Sequence, residues 1–247
     1  MSIPDCTLLA VESSAGPASC AVLRYQNGEK QLLCTASVNN RLTHSQTLLP
    51  LILDALKNSG LTLDDITHLA VAVGPGSFTG VRIGVSAVKG LAFPKDLPCV
   101  PVSTLAGMAR RFEGLPYNGL ILTAMDARCR QIYTALFSIE NGVVSRITPD
   151  EALPLDAVKS RLHHETRSVM IVGDGAQLCY DELKDTVPCV FLAPQELRHQ
   201  HAVGIAEEAV LLIQKNKIVN GEMLLPTYLR LPQAERELRA KQAANNA

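Results

Sequence analysis

The sequence lacks two features that are typical of proteins that bind nucleic acid on their own: an excess of basic residues and a high content of aromatic residues. Lysine and arginine number 23 against 24 aspartates and glutamates, so the formal net charge is −1. Tryptophan is absent, and aromatic residues make up only 4% of the 247 residues. Basic surfaces neutralise phosphates, and aromatic side chains stack on bases. We therefore expect no direct grip on nucleic acid by this chain alone.

Paired cysteines, a leader sequence and long apolar runs are also missing. The seven cysteines are scattered and form no C-x-x-C pair, which predicts reduced thiols and not a disulfide framework. The first residues, MSIPDCTLLA, carry no basic segment before an apolar run. No stretch reaches the roughly 18 apolar residues that a membrane helix needs. These absences predict a cytoplasmic protein without a membrane partner.

The chain does have a pattern of short strands and amphipathic helices that occurs twice. TLLAVESS, ASCAVLRY and KQLLCTAS predict three strands, with a hairpin turn at Asn27-Gly28. A helix then runs to about Gly60, HLAVAV predicts a buried strand, and a second helix follows. The later series is looser, with strands at GLILTAMDA, RQIYTALFS and GVVSRIT, a helix at PLDAVKSRLHH, and strands at SVMIVGDGA and PCVFL. Two successive β-β-β-α-β-α units predict a duplicated α/β fold with two subdomains.

The same pattern predicts the domain boundaries. Residues 1–100 form the first subdomain, which we expect the amphipathic helix near 202–216 to complete. Residues 101–200 form a second, degenerate subdomain. Residues 217–247 form a C-terminal extension, whose polar tail ERELRAKQAANNA is expected to fray.

The segment GPGSFTG, between the buried strand and the second helix, has the composition of a phosphate cradle. It is not a P-loop, because Gly80 is followed by Val81 and Arg82 instead of Lys and Ser/Thr. Its glycine spacing breaks the dinucleotide fingerprint, and it also lacks the G-x-S-x-G of a nucleophile elbow. Two interpretations stay open: a turn that binds an anion at the free N–H groups of the helix, or a tight turn alone. The residues of this candidate anion-binding turn are Gly74, Gly76, Ser77 and Thr79.

The two helices of the first half, at about 43–57 and 78–92, are apolar over most of their circumference. One side of each must cover the sheet, and the remaining apolar surface needs a second cover. Small residues on the second helix would let another backbone approach closely. We therefore predict a protein–protein interface on these helices. The residues assigned to it are Leu48, Leu49, Ile52, Gly80, Val81, Arg82, Gly84, Val85 and Val88.

Four segments together resemble one known family. They are GPGSFTGVRIG after a strand, THSQTLLPLI on the preceding helix, PVSTL after the next strand, and PTYLR at residues 226–230. They look like the TsaB (YeaZ-like) family of bacterial tRNA threonylcarbamoyladenosine biosynthesis proteins, in the TsaD-type M22 "glycoprotease" superfamily. The resemblance covers nearly the whole chain, and GPGSFTGVRIG is its most specific part.

The resemblance implies the duplicated actin-like fold, shared with Hsp70 and sugar kinases (the ASKHA, RNase H-like class). It also implies a dimerisation subunit and not a stand-alone enzyme. Such proteins pair with a related catalytic subunit, TsaD, and with the ATPase TsaE they help to transfer a threonylcarbamoyl group to adenosine in tRNA. They form homodimers through the same two helices when TsaD is absent. We therefore expect a TsaD-like and a TsaE-like partner, a homodimer without TsaD, and contact with tRNA only through the complex.

Compared with TsaD-like proteins, the chain departs at positions that carry chemistry. Thr104 and Met108 stand where the resemblance places metal-binding histidines, and neither side chain suits a transferase metal. Glu12-Ser13-Ser14 stands where the first phosphate hairpin carries an aspartate, and MDARCRQIY lacks the glycines of the second phosphate segment. We therefore predict no catalytic residues, no metal and no cofactor, with vestigial nucleotide binding left open.

Two other functions remain as alternatives. An ATPase or kinase of the same fold would bind Mg-nucleotide tightly as an isolated chain. An M22-type peptidase would need a reactive serine beside a histidine, and the sequence offers His44 next to Ser45 without an evident Asp or Asn to orient the ring.

Overall fold

The structure, a computed structural model, describes residues 5–40 and 42–230. The strands in this part of the chain are β1 (Cys6–Glu12), β2 (Ala18–Gln26), β3 (Glu29–Val38), β4 (His68–Gly74), β5 (Cys99–Ser103), β6 (Gly119–Asp126), β7 (Gln131–Glu140), β8 (Val143–Arg146), β9 (Glu151–Pro154), β10 (Val169–Val172) and β11 (Val190–Leu192). The helices are α1 (His44–Asn58), α2 (Phe78–Ala92), α3 (Thr104–Arg110), α4 (Leu155–Leu162), α5 (Ala176–Leu183), α6 (Gln195–Arg198) and α7 (Ala202–Gln214). The tail that was expected to fray, from residue 235 onward, lies outside the described residues.

The strands form two sheets with the same topology. The first sheet has the order β3-β2-β1-β4-β5, and the second has β11-β10-β6-β7-β8. Strand β9 belongs to the second sheet as well but pairs with β7 outside this order. When β9 is left out and the other strands of each half are numbered in chain order, both sheets read 3-2-1-4-5. In each sheet the first three strands are antiparallel. The fourth strand pairs in parallel with the first, and the fifth pairs in parallel with the fourth. This topology confirms the duplicated α/β fold.

The two hairpin turns repeat as well. Asn27 and Gly28 connect β2 to β3 with φ angles of 53° and 86°, and Asn141 and Gly142 connect β7 to β8 with 53° and 78°. Positive φ at both central residues matches the right-handed twist of the flanking strands. Asn-Gly at the same place in both halves thus fixes the register of each hairpin.

Six helices form the layers around the sheets. Helices α1 and α2 cover one face of the first sheet, and α7 covers the other. Helix α3 covers one face of the second sheet, and α4 and α5 cover its other face. Helices α3 and α7 pack on each other so closely that a Cβ atom on Gly204 would lie 2.0 Å from the carbonyl oxygen of Gly107. No helix in the described ranges is long and apolar enough to span a membrane.

Four elements were not predicted from the sequence: α3, α5, β9 and the four-residue helix α6. Helix α3 has seven residues, of which six are buried, so it has no polar face and no helical periodicity. Helix α5 and strand β9 have eight and four residues. Short elements give too few periodic positions to be distinguished from loops.

Candidate functional site: a docking face beside an interdomain cleft

The nine residues predicted to form a protein interface divide into two groups. Leu49 is 49% exposed, and Arg82 is also exposed. The remaining seven are buried within this chain: Leu48, Ile52, Gly80, Val81, Gly84, Val85 and Val88. The five aliphatic side chains in that group pack in the core between α1, α2 and the first sheet. The interface itself stays a prediction, but these seven residues support the helices from beneath and are not available to a partner.

The small residues of α2 accommodate the chain's own β1–β2 loop. A Cβ atom on Gly80 would lie 2.1 Å from the carbonyl oxygen of Ser13, and one on Gly84 would lie 2.4 Å from Ser13 Oγ. Ser13 Oγ also donates a hydrogen bond of 2.9 Å to the carbonyl oxygen of Gly80. The close backbone approach that these glycines predict therefore occurs within the chain.

The outward sides of α1 and α2 nevertheless carry apolar residues. Leu53, one turn after Leu49, is 56% exposed. On α2, Ile83 and Ala87 are half-buried and also one turn apart. We call these four residues the docking face. Leu53, Ile83 and Ala87 are not among the residues that the sequence assigned to the interface, although the i, i+4 spacing within each pair is the signal that could have found them.

The glycine-rich turn leads into α2 through a well-formed N-cap. Ser77 Oγ accepts the Gly80 N–H at 3.2 Å, while the Ser77 N–H donates to the carbonyl oxygen of Ser14 at 2.7 Å. A Cβ atom on Gly76 would lie 2.5 Å from that same carbonyl oxygen. A tight turn thus accounts for Gly76 and Ser77, and anion binding there stays a prediction.

A cleft of about 470 Å³ opens between the two halves beside this turn. Its walls come from the β1–β2 loop, the turn before α2 and its first residue, the end of β6 with the β6–β7 loop, Tyr133 of β7, the turn after β10, and the segment 227–230. The lining side chains include acidic, basic and aromatic groups, among them Phe78, Asp126, Arg128, Tyr133, Asp174, Tyr228 and Arg230.

The β6–β7 loop turns sharply without glycine. Arg128, Cys129 and Arg130 have φ angles of 64°, 55° and 54°. The carboxylate of Asp126 holds the loop, because it accepts the Arg128 N–H at 2.8 Å. The segment therefore forms a left-handed turn although it contains no glycine. In place of the bare backbone of a glycine loop, it presents the side chains of Arg128, Cys129 and Arg130.

Glu12 is the last residue of β1, directly before the β1–β2 loop, and its side chain is 0% exposed. Its Oε1 accepts the Ser14 N–H at 2.6 Å, while its Oε2 has no hydrogen-bond partner among the described residues. Removal from water raises the pKa of this carboxyl to about 7, against the opposing effect of hydrogen bonds from Ser14. The carboxyl therefore changes charge near neutral pH.

The positions compared with metal-binding histidines are enclosed by protein. Thr104 and Met108, both on α3, are buried, and Thr104 Oγ1 has no hydrogen-bond partner within the described ranges. Residues 5–40 and 42–230 contain no group of three or more His, Cys, Asp or Glu side chains that could hold a metal ion.

The serine–histidine pair offered by the sequence is not formed. His44 Nε2 lies 2.7 Å from the carbonyl oxygen of Ala15, and Ser45 Oγ is hydrogen-bonded to Thr43 Oγ1 at 3.0 Å. The part of the chain that the structure describes thus gives no support to a nucleophile at Ser45.

Comparison with known proteins identifies close relatives. A family model described as "TsaD: tRNA N6-adenosine threonylcarbamoyltransferase" matches residues 39–237. The tRNA threonylcarbamoyladenosine biosynthesis protein TsaB of Bacillus subtilis is 30% identical, over 93% of this chain and 96% of that protein. TsaB of Escherichia coli is 34% identical, over 81% and 86%. A Pseudomonas aeruginosa crystal structure, described as similar to the peptidase YeaZ, superposes with a TM-score of 0.77 at 29% identity, over 91% of this chain and all of that one.

Proposed function

This chain belongs to the TsaB family, and on that premise we propose that it is a non-catalytic subunit of the machinery that makes threonylcarbamoyladenosine in tRNA. It binds and activates a TsaD-like catalytic subunit in the cytoplasm, together with a TsaE-like ATPase. In the absence of the TsaD-like subunit, a second copy of the chain takes its place.

The observation that carries this proposal is the docking face. Leu49 and Leu53 are about half exposed on a helix whose opposite side is packed in the core. Fully burying an exposed leucine side chain is worth roughly 2 kcal/mol, so covering these two half-exposed leucines is worth about 2 kcal/mol together. The half-buried Ile83 and Ala87 on α2 add further apolar surface that a partner would cover. A related subunit with the same pair of helices is a suitable cover.

The non-catalytic role is supported by the enclosed positions on α3. Thr104 and Met108 are buried among the side chains that pack α3 against the second sheet and α7. Neither supplies a nitrogen ligand, and the net charge of −1 gives the chain little attraction for tRNA phosphates. Contact with tRNA is therefore made through the complex.

The proposal is tested by Leu53→Arg, with Leu178→Arg as the matched control. Leu178 is 36% exposed on α5 of the second half. We expect Leu53→Arg to abolish co-elution with the TsaD-like subunit and threonylcarbamoyladenosine formation in a reconstituted reaction, because it places a charge in an apolar contact. Leu178→Arg should leave both unchanged. Normal complex formation by the folded Leu53→Arg protein would contradict the proposal.

A second candidate function, nucleotide binding, is favoured by the cleft of about 470 Å³ lined by polar groups from both halves. Calorimetry of the isolated chain with Mg-ATP tests it. Tight binding, with loss on substitution of Asp126 at the end of β6, would favour an ATPase or kinase over the subunit role.

A further inference from the structure

The segment 226–230, PTYLR, contacts both walls of the cleft and yet contributes nothing to the docking face. It follows the last helix and ends at Arg230, the last residue that the structure describes. We call residues 226–230 the clamp. Its contacts fall at three places, each on a different element.

The first contact is with the end of β4. The Thr227 N–H donates to the carbonyl oxygen of Val73 at 2.7 Å. The Thr227 carbonyl oxygen lies so near Gly74 that a Cβ atom there would be 2.5 Å away. Gly74 also has a φ of 116°, a conformation that side chains disfavour. Gly74, the first glycine of GPGSFTG, thus has two reasons to be glycine: the positive φ of the turn and the close approach of Thr227 in the clamp.

The second contact is with the start of α2. The ring of Tyr228 lies against the ring of Phe78, with centroids 4.9 Å apart. The guanidinium of Arg82 also lies over the ring of Phe78, 4.5 Å from its centroid. Aromatic pairs and cation–π contacts of this kind hold side chains in defined positions. The stack therefore joins the clamp to the first turns of the helix that carries Ile83 and Ala87.

The third contact is with the second half. Arg230 Nη1 donates a hydrogen bond to the carbonyl oxygen of Ala127, which lies in the β6–β7 loop directly after β6. The acceptor is a backbone atom, so this contact depends on the position of the loop and not on a side chain of the second half. One short segment thus holds the turn before α2 at one end and the opposite wall of the cleft at the other.

We infer that Tyr228 and Arg230 are positioning residues, which hold the N-terminal turns of α2 in a fixed place relative to the second half, and that the docking face depends on this clamp. The inference deepens the proposed function, because it makes the affinity for the TsaD-like subunit depend on residues outside the docking face. A change at the cleft is thereby transmitted to the interface through the stack of Tyr228, Phe78 and Arg82.

The test measures amide hydrogen exchange at the turn, because three of its amides report on its order. The Ser77, Gly80 and Val81 N–H groups are bonded to Ser14 O, Ser77 Oγ and Ser77 O. Arg230→Ala and Tyr228→Ala should each raise exchange at these three amides roughly tenfold, since each removes one anchor of the clamp. Amides of β10 and β11 in the second sheet serve as the internal reference and should keep the exchange rates of the original protein.

Three matched variants separate positioning from general stability. Tyr228→Phe keeps the ring and should restore protection and affinity. Arg161→Ala removes an arginine that pairs with Glu151 in the second half, 2.6 Å away, and should change neither. Arg230→Ala should weaken binding of the TsaD-like subunit about tenfold without altering any docking-face side chain.

The outcomes are distinguishable. Unchanged exchange at the turn in Arg230→Ala and Tyr228→Ala would overturn the inference, as would a uniform rise throughout the chain. Local loosening with unchanged affinity would overturn the link to docking. If the original protein fails to bind a TsaD-like subunit at all, the proposed function is wrong, while the exchange data still test the clamp.

Discussion

The two halves of this chain share a fold but differ in the helices that cover their sheets. Both sheets have the order 3-2-1-4-5, both second hairpin turns are Asn-Gly, and the fourth strand of each runs into a glycine with positive φ, Gly74 at 116° and Gly173 at 123°. Helices α1 and α2 have 15 residues each, whereas α4 and α5 have eight. Duplication thus preserved the sheets and their turns more closely than the outer layer.

The outer surfaces of these layers differ in chemistry. Around α4 and α5, ion pairs join Arg161 to Glu151 at 2.6 Å, and Lys159 and Arg130 to Glu182 at 3.4 Å and 2.7 Å. On α1, the corresponding outward positions include Leu49 and Leu53. A charged surface is well solvated by water, whereas an exposed apolar surface is stabilised when a partner covers it. The comparison therefore supports the proposal that the first half carries the docking face.

The largest expected effect separates two neighbouring residues of α1. Ile52→Arg should destabilise the protein by about 4 kcal/mol or more, because Ile52 is 0% exposed and a buried charge there has no partner. Leu53→Arg, one residue later on the outward side, should cost less than about 1 kcal/mol. Urea unfolding of both variants checks this. Equal losses would mean that the outward side of α1 is not free in the monomer.

The next effect concerns the acid that ends the first strand of each half. The pKa of Glu12 is raised to about 7 by burial, so the folded state holds its proton more tightly than the unfolded chain does. The stabilisation is complete below about pH 4.5 and is lost as pH rises towards 7, by up to about 3 kcal/mol. Glu12→Gln should remove this loss.

Its control is Asp126→Asn, at the equivalent end of β6, where the carboxylate is paired with Arg128 at 3.2 Å. Unfolding free energies of the three proteins at pH 5 and pH 8 test the expectation. A Glu12→Gln variant that loses stability from pH 5 to pH 8 as much as the original protein does would contradict it.

A smaller effect distinguishes glycines of one helix. Gly80→Ala should cost about 2 kcal/mol, because its methyl group would meet the backbone of Ser13. Gly90→Ala, in the same helix with nothing within 4 Å of the new Cβ, should stabilise by up to about 1 kcal/mol. Thermal unfolding of the pair measures the difference. Similar shifts in both would show that the β1–β2 loop yields easily.

The smallest effect is expected in the charged layer. Arg161→Ala should lower the free energy of unfolding by less than about 1 kcal/mol and leave docking unchanged, because exposed ion pairs are screened by water. Denaturant unfolding at low and high salt measures this loss, which should shrink as salt is added. A large, salt-independent loss would indicate that the layer is stabilised by this pair.

Much of the fold could be predicted from local patterns. Short runs rich in apolar and small residues, together with the turn at Asn27-Gly28, identified most of the strands, and the long helices α1 and α2 were clear from their length. The short helix α3 was not, because it is buried nearly all round and so has no polar face. The site was predicted only to the level of the helices. Leu48 and Leu49 are adjacent and chemically identical in the sequence, and only packing separates the buried one from the exposed one.

The sequence by itself determined the repeated order of elements, the family and the pair of helices that are more apolar than a sheet requires, since these follow from residue types and their spacing. Only the tertiary structure decided which side of each helix remains outside, and that the small residues of α2 receive Ser13 instead of a partner. It also decided that PTYLR reaches back to GPGSFTG and across to Ala127. These relations join residues up to about 150 positions apart in the chain, and contacts between such distant segments arise from packing that no local pattern encodes.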